Sequence, residues 1–375
     1  MPPIPLSHEA AIPSRPGIGS NRKPMTNVHP VAGARDRDGG GPALLPPACF
    51  ARGTGIATPR GTVPVESLRP GDSVLSAFGG TRIVLWLGYR RVDCRRHPLP
   101  REVWPIRIRA GAFARGQPVR DLVLSPNHGV YMADATGGPG VLIPVRCLLN
   151  GSTVVQEAAD TITYYHVELP HHDVILAEGL PTESYLDVGN RGAFENGGEP
   201  LQLHPAFTRR ASDAESWEGV VVQGPAVAAA RQRLLARESA LGFATTGDPD
   251  LRLQIPGRLL RAACDGQTCR FALPGGTDAG WLVSRVFVPA ERLADNDDRR
   301  LLGVAVTRLA LGRRELDLAG PALGEGWHPP EPGRRWTTGC AAVALGGART
   351  LIVSVAGAGP YLRPRRRTVT QATSP

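Results

Sequence analysis

Glycine and proline cut this chain into pieces of strand length. It carries 45 glycines and 36 prolines among 375 residues; glycine frees the backbone and proline fixes it, so both mark turns and shorten the elements between them. From Cys49 to about residue 188 the pieces read as short strands and sharp turns. They are GIATPRGTVPVESL, folded around a Pro-Arg-Gly turn, and RPGDSVLSA after a Pro-Gly turn, then TRIVLWLGYRRVD, WPIRIRAGAF, RDLVLSPNHGVYM, GVLIPVRCLL, TITYYHVELP and DVILAEGL. Alternating or wholly apolar runs of this length are strands, so residues 48–188 are expected to form one all-β domain. Short helical or turn-like interruptions are expected at VPVESLRPG and VRCLLNGS. The leader, residues 1–47, contains PPIP, SRPG and RDRDGGGPALLPP, whose proline, glycine and charge prevent any periodic pattern, so it is expected to be disordered. Cys49 stands at the threshold between leader and domain.

Residues 189–247 are read as a linker holding the best helix of the chain, GPAVAAARQRLLARESALG. Pro225 lies near its start and Gly242 just past its end, and Val227, Ala230, Leu234, Leu235 and Leu241 make an apolar stripe. Strand-like runs return over 248–363, separated by glycine, aspartate and proline turns, and predict a β-sandwich. The tail, residues 364–375, is expected to fray.

Composition excludes several function classes. The net charge is +9, but the only lysine is Lys23, the arginines are scattered, and aromatics make up 5%; a nucleic-acid binder would show a basic stripe interleaved with aromatics. No specific nucleic-acid partner is expected. The six cysteines form no CxxC pair, so neither a zinc ribbon nor a thioredoxin-type site is expected, nor any metal or cofactor. Cys264 and Cys269 in CDGQTC either close a small disulfide loop or flank a hairpin as thiols. No stretch approaches 18 apolar residues and the N-terminus has no apolar core of a signal peptide, so the expectation is a protein without a membrane span, cytoplasmic by default. Export by a route without such a signal stays open.

A thiol at Cys49 can attack the peptide carbonyl immediately upstream, that of Ala48, and move the acyl group from nitrogen to sulfur. The shift needs an activated thiol, a proton for the leaving nitrogen and hydrogen-bond donors for the oxyanion. Histidine titrates near neutrality and is the natural proton donor. LVLSPNHGVYM offers His128 after a Ser-Pro turn, with Ser125 presenting its hydroxyl on the same bend and Pro126 fixing the turn.

CFARGTGIATPRGTVPVESLRPGDSVLS resembles the opening block of the Hint superfamily, the autoprocessing module shared by hedgehog proteins and inteins, and especially its bacterial hedgehog/intein-like branch. The positions that carry the resemblance are Cys49, Gly53, Thr54, Thr58, Gly61, Val65, Leu68, Gly71, Asp72 and Val74. LVLSPNHGVYM is similar to the second block, a Thr-x-x-His arrangement, with Ser125 in the threonine position and His128 in the histidine position. YYHVELPHHDVILAEGLPTES looks like the closing block, so the resemblance spans residues 48 to 187. It implies a pseudo-two-fold all-β horseshoe that brings both ends of the module together, with Cys49 as nucleophile, His128 assisting amide cleavage and Ser125 orienting the site. A splicing intein closes on His-Asn, whereas this chain has Glu183-Ser184, so full splicing is not expected.

From HHD, which is His171, His172 and Asp173, either His172 or Asp173 is expected to approach Cys49 and assist proton transfer; the bland alternative is a polar hairpin turn. Cys147 reads as core, and Cys94 as part of a solvated arginine-rich insertion. In the C-terminal domain His328, Glu331 and Trp336 suggest a protein or carbohydrate site, against a loop in which Trp336 packs and Glu331 pairs with an arginine. Nothing there resembles a sterol-recognition region. The expected function is self-cleavage at Ala48-Cys49 through a thioester, with the chain's own leader as substrate and water or another nucleophile as acceptor. The alternative is an inactive scaffold of the same fold with a C-terminal binding module.

Overall fold

The computed structural model describes residues 48–133, 140–185, 191–197, 220–356 and 359–363. The leader, the tail and most of the stretch before the helix lie outside the described residues. The chain divides into two compact units, Met1–Leu148 with Val154–Val227, and Leu149–Thr153 with Ala228–Pro375.

The first unit is built from short strands: β1 (Phe50–Ala51), β2 (Gly55–Thr58), β3 (Gly61–Pro64), β4 (Ser73–Leu75), β5 (Thr81–Ile83), β6 (Trp86–Asp93) and β7 (Ile106–Ile108). They continue with β8 (Leu122–Leu124), β9 (Gly129–Met132), β10 (Val141–Pro144), β11 (Val154–Gln156), β12 (Thr161–Glu168), β13 (Val174–Ala177) and β14 (Leu180–Glu183). One six-stranded sheet runs β11-β7-β8-β1-β12-β6, another runs β10-β9-β14-β13-β2-β3, and β4 pairs with β5. The turns follow from their residues. Gly61 has φ +109°, a conformation costly for any residue with a Cβ, and Thr58 Oγ1 donates to its carbonyl at 2.6 Å, closing the β2–β3 hairpin. Single turns of 3-10 helix fall at Val65–Ser67 and Val145–Leu148, where turn-like interruptions were expected, and Cys147 is buried in the second.

β1 is only two residues long, yet it lies inside its sheet between β8 and β12. It therefore fixes the residue before it, Cys49, between two neighbours. YRRVD closes β6, paired with β12 from Trp86 to Asp93, but Cys94, expected in a solvated insertion, is buried at the end of that strand. Burial pushes the Cys94 thiol up from its ordinary value.

Helix interrupts the β structure in the second unit, so the chain is not purely β. α1 (Pro225–Ala240) starts at Pro225 and ends before Gly242, whose φ is +80°. Val227, Ala230 and Leu234 of its stripe are buried, and Leu235 and Leu241 half-buried. The strands that follow are β15 (Thr245–Thr246), β16 (Arg252–Ile255), β17 (Arg258–Arg261), β18 (Ala263–Asp265), β19 (Thr268–Ala272) and β20 (Ala279–Val283). After the short helix α2 (Pro289–Arg292) come β21 (Ala305–Leu311), β22 (Arg314–Glu315), β23 (Arg335–Trp336), β24 (Cys340–Ala344), β25 (Thr350–Val355) and β26 (Tyr361–Leu362).

A four-stranded sheet, β17-β16-β20-β24, and a six-stranded sheet built on β18-β19-β25-β21-β22, with β23 on β21, contribute to one apolar core. Leu253, Phe271, Leu282, Leu309, Val343 and Val353 all face into it, because one face of each strand alternates inward. Cys264 and Cys269 oppose each other in the β18–β19 hairpin and are joined as a disulfide.

The carboxylate of Glu238 on α1 and the guanidinium of Arg292 on α2 form a bidentate ion pair with both side chains almost fully buried. A buried pair adds little over apolar packing, but breaking it strands a charge away from water. Arg292→Ala is therefore expected to lower unfolding stability by about 3–5 kcal/mol, measured by denaturant titration; a change under about 1 kcal/mol would show that water reaches Glu238.

Candidate active site

The site is assembled around the peptide bond behind Cys49. Phe50 pairs with Leu124 of β8, and the pairing continues outward by one residue: the Ser125 N–H donates to the Cys49 carbonyl at 2.9 Å. In return the Cys49 N–H donates to Ser125 Oγ at 2.7 Å. That N–H belongs to the Ala48-Cys49 amide, so the predicted orienting hydroxyl is held on the nitrogen that cleavage would release. Ser125 and Cys49 are both buried.

Ser125-Pro126-Asn127-His128 is a turn closed by His128 N–H on the Ser125 carbonyl at 3.1 Å, with Pro126 supplying a preset φ at its second position. The turn is anchored by Val145 N–H on the His128 carbonyl and Arg146 N–H on the Pro126 carbonyl. It stacks the imidazole of His128 against the ring of Phe50, with centroids 4.3 Å apart. Neither ring nitrogen of His128 has a hydrogen-bond partner of good geometry. Burial lowers its pKa to about 4, although the nearby Glu183 carboxylate and the carbonyls of Cys49 and Glu183 pull the other way. At neutral pH His128 is an uncharged imidazole.

Burial also governs Cys49. It pushes the thiol up to about 12, against the Arg90 guanidinium and the Ser125 hydroxyl, both of which favour the thiolate. At pH 7 only about one molecule in 100,000 would carry a free thiolate. A reaction at this sulfur therefore has to remove the thiol proton during the attack, not before it.

Of the closing-block residues, His171 is exposed. His172 Nε2 stands 3.4 Å from a carboxylate oxygen of Glu183, and Glu183 accepts from the Gly129 N–H beside His128. Asp173 is engaged elsewhere: Arg82 Nε approaches it at 2.7 Å, Ser76 donates to it at 3.2 Å, and its own N–H donates to Ser184 Oγ at 2.9 Å. The structure thus gathers Cys49, Ser125 and His128 in one place, links His172 to them through Glu183, and turns Asp173 to Arg82, Ser76 and Ser184.

Sequence reasoning missed three groups. Arg90 and His166 come from the long strands β6 and β12, and both face inward because the side-chain period of a strand is two. That period was readable, since Tyr164 and His166 share one face of β12 and Arg90 and Val92 one face of β6, but the pairing that puts both on the same side of the sheet was not. Glu183 was read only as a residue where splicing would need something else.

In the second unit Glu331 pairs with Arg300 at 3.0 Å and with Arg334 at 2.9 Å, and Trp336 packs on Phe287 with centroids 6.1 Å apart. His328 Nε2 lies 2.9 Å from the Leu301 carbonyl. Among the described residues no cluster of His, Cys, Asp and Glu could hold a metal, and no helix is long and apolar enough to cross a membrane.

Residues 48–189 match the family model of the Hint domain. No curated protein matches the chain. Similar solved structures include a bacterial intein-like domain from Clostridium thermocellum, at 16% identity over 36% of this chain and 98% of that one, with a TM-score of 0.26. The gp41-1 intein is similar at 15% identity over 36% of this chain and 97% of that one, TM-score 0.24, and the AceL NrdHF class 3 split intein at 12% over 37% and 98%, TM-score 0.27. The family match, and not these low scores, supports a Hint-like region at residues 48–189.

The buried, neutral state of His128 has a consequence for stability. Its folded pKa of about 4 lies below the ordinary value of 6.5, so between those limits the unfolded chain binds more protons and folding weakens as pH falls. The loss approaches about 3 kcal/mol by pH 4, because a tenfold difference in proton affinity between the folded and unfolded chains is worth about 1.36 kcal/mol. His128→Gln should therefore flatten the fall in stability between pH 7 and pH 4, measured by urea titration at each pH. Parallel curves for the two proteins would show that His128 binds its proton equally well in the folded and unfolded chains.

Proposed function

We propose that residues 48–189 form a self-processing module that cuts the Ala48-Cys49 bond by an N-to-S acyl shift. The observation that carries this reading is the 2.7 Å hydrogen bond from the Cys49 amide to Ser125 Oγ, on the turn that also presents His128. The Hint superfamily includes autoprocessing members, which favours the same chemistry. In the reaction Cys49 Sγ loses its proton to a base within the site as it attacks the Ala48 carbonyl carbon, the carbon–nitrogen bond breaks, and the nitrogen takes a proton that His128, neutral at rest, relays from solvent. The product is a thioester between Ala48 and Cys49 with a free amine on Cys49, and water or another nucleophile then releases residues 1–48. Ser184 stands where splicing would need asparagine, so the downstream bond is left intact. The pseudo-two-fold horseshoe for the first unit and a sandwich for the second belong to this proposal as well.

One observation favours the second reading, an inactive scaffold with a binding module. The Cys49 side chain is sealed from solvent, and the thiol and His128 are both held in their neutral forms. The two readings separate in one experiment. Purified full-length protein is followed by intact mass, with dithiothreitol or hydroxylamine added to intercept a thioester. Self-processing predicts a split after Ala48 that these reagents accelerate, that Cys49→Ala abolishes, and that His128→Ala slows by about 100-fold or more. A folded full-length protein whose mass is unchanged under both reagents supports the scaffold.

A further inference from the structure

The thiol needs a base within the site, and the sheet register supplies one. Phe50 pairs with Tyr165 and Ala51 with Tyr164, so continuing the β1–β12 register by one residue sets Cys49 directly opposite His166. Opposed residues of an antiparallel pair point to the same face with their Cβ atoms ~5 Å apart, within reach of an imidazole. On its other side His166 pairs with Gly88 of β6, where a Cβ would lie 2.2 Å from the Trp86 indole, so the glycine leaves its space to that ring. Tyr185 and Phe194 close over the imidazole, with ring centroids 4.7 and 5.0 Å away, and both belong to the small apolar cluster that contains Cys49.

His166 is buried, and its Nε2 has no hydrogen-bond partner. Beside Cys49, which the register sets opposite, the charged and titratable groups acting on it are His128 and Arg90, whose strand position is opposite Tyr164 on the same face. Burial first, and then His128 and Arg90, hold its pKa well below the ordinary histidine value, so it is a free base at neutral pH. His128 cannot fill this place as readily, because it stacks on Phe50, the residue whose side chain alternates to the opposite face from Cys49.

We propose that His166 is the base that takes the Cys49 thiol proton, while His128 serves the amide nitrogen. The proposal rests on the self-processing reading. Protons balance over the two steps. In the first, the carbon–sulfur bond forms as the thiol proton passes to His166, and the carbon–nitrogen bond breaks as His128, neutral at rest, takes up a proton from solvent and passes it to nitrogen. In the second, water adds its hydroxyl to the acyl carbon and returns a proton to solvent, and sulfur leaves with the proton held on His166. Both histidines end as they began.

The test is the rate of dithiothreitol-induced cleavage of the full chain, by intact mass, for wild type and His166→Gln across pH 6 to 9. The base role predicts a fall of about 100-fold or more at pH 7. It also predicts a variant whose rate gains on wild type by about tenfold per pH unit, because hydroxide must replace the imidazole. Rates within threefold at pH 7, or parallel pH profiles, would overturn the proposal and leave self-processing standing; a wild type that dithiothreitol does not cut overturns both. Should His166→Gln not fold, nitrogen-15 NMR of histidine-labelled protein decides. The His166 imidazole resonances should shift between wild type and Cys49→Ala, and unchanged resonances would overturn the role.

Discussion

The reciprocal pair of hydrogen bonds between Cys49 and Ser125 is the constraint on which the rest of the site depends. One bond continues the β1–β8 ladder, and the other brings a side-chain oxygen onto a peptide nitrogen. Together they take a residue at the edge of the described structure and fix it inside a six-stranded sheet. Without them the Ala48-Cys49 amide would not meet the turn that carries His128, and Cys49 would not fall into register with β12.

That placement comes at a chemical cost. Sealing Cys49 from water suppresses its thiolate, and sealing His128 keeps it neutral, so neither group is activated at rest. Arg90 and Ser125 oppose the effect at sulfur without overcoming it. The proposed reaction would have to move protons in concert with bond formation, and would use separate groups near sulfur and near nitrogen. The sheet supplies them from different strands: Ser125 and His128 follow β8, His166 comes from β12 and Arg90 from β6.

Much of this was legible in the sequence where chemistry is local. Glycine and proline punctuation predicted the strands, Pro225 and Gly242 bounded the helix, and a serine, a proline and a histidine within four residues announced a turn with functional groups on it. Long-range register was not legible. His166 lies in YYHVE and Arg90 in YRRVD, and nothing in either string says that β12 sits between β1 and β6. The HHD stretch shows the opposite difficulty: adjacent residues alternate in direction, so His172 reaches Glu183 while Asp173 turns to Arg82 and Ser76. An aspartate and a histidine adjacent in the chain thus take different partners in space. The arginine-rich stretch around Cys94 looked solvated because its charge was visible, and the burial of Cys94 at the end of β6 was not.

The central claim is that the bond behind Cys49 is cut by its own thiol. The most direct measurement is the N-terminal residue of the large fragment that forms on incubation of the purified protein. The account predicts a new free amine on Cys49 and no other new terminus. A fragment starting at any other residue, or a folded chain that forms no fragment, would contradict it.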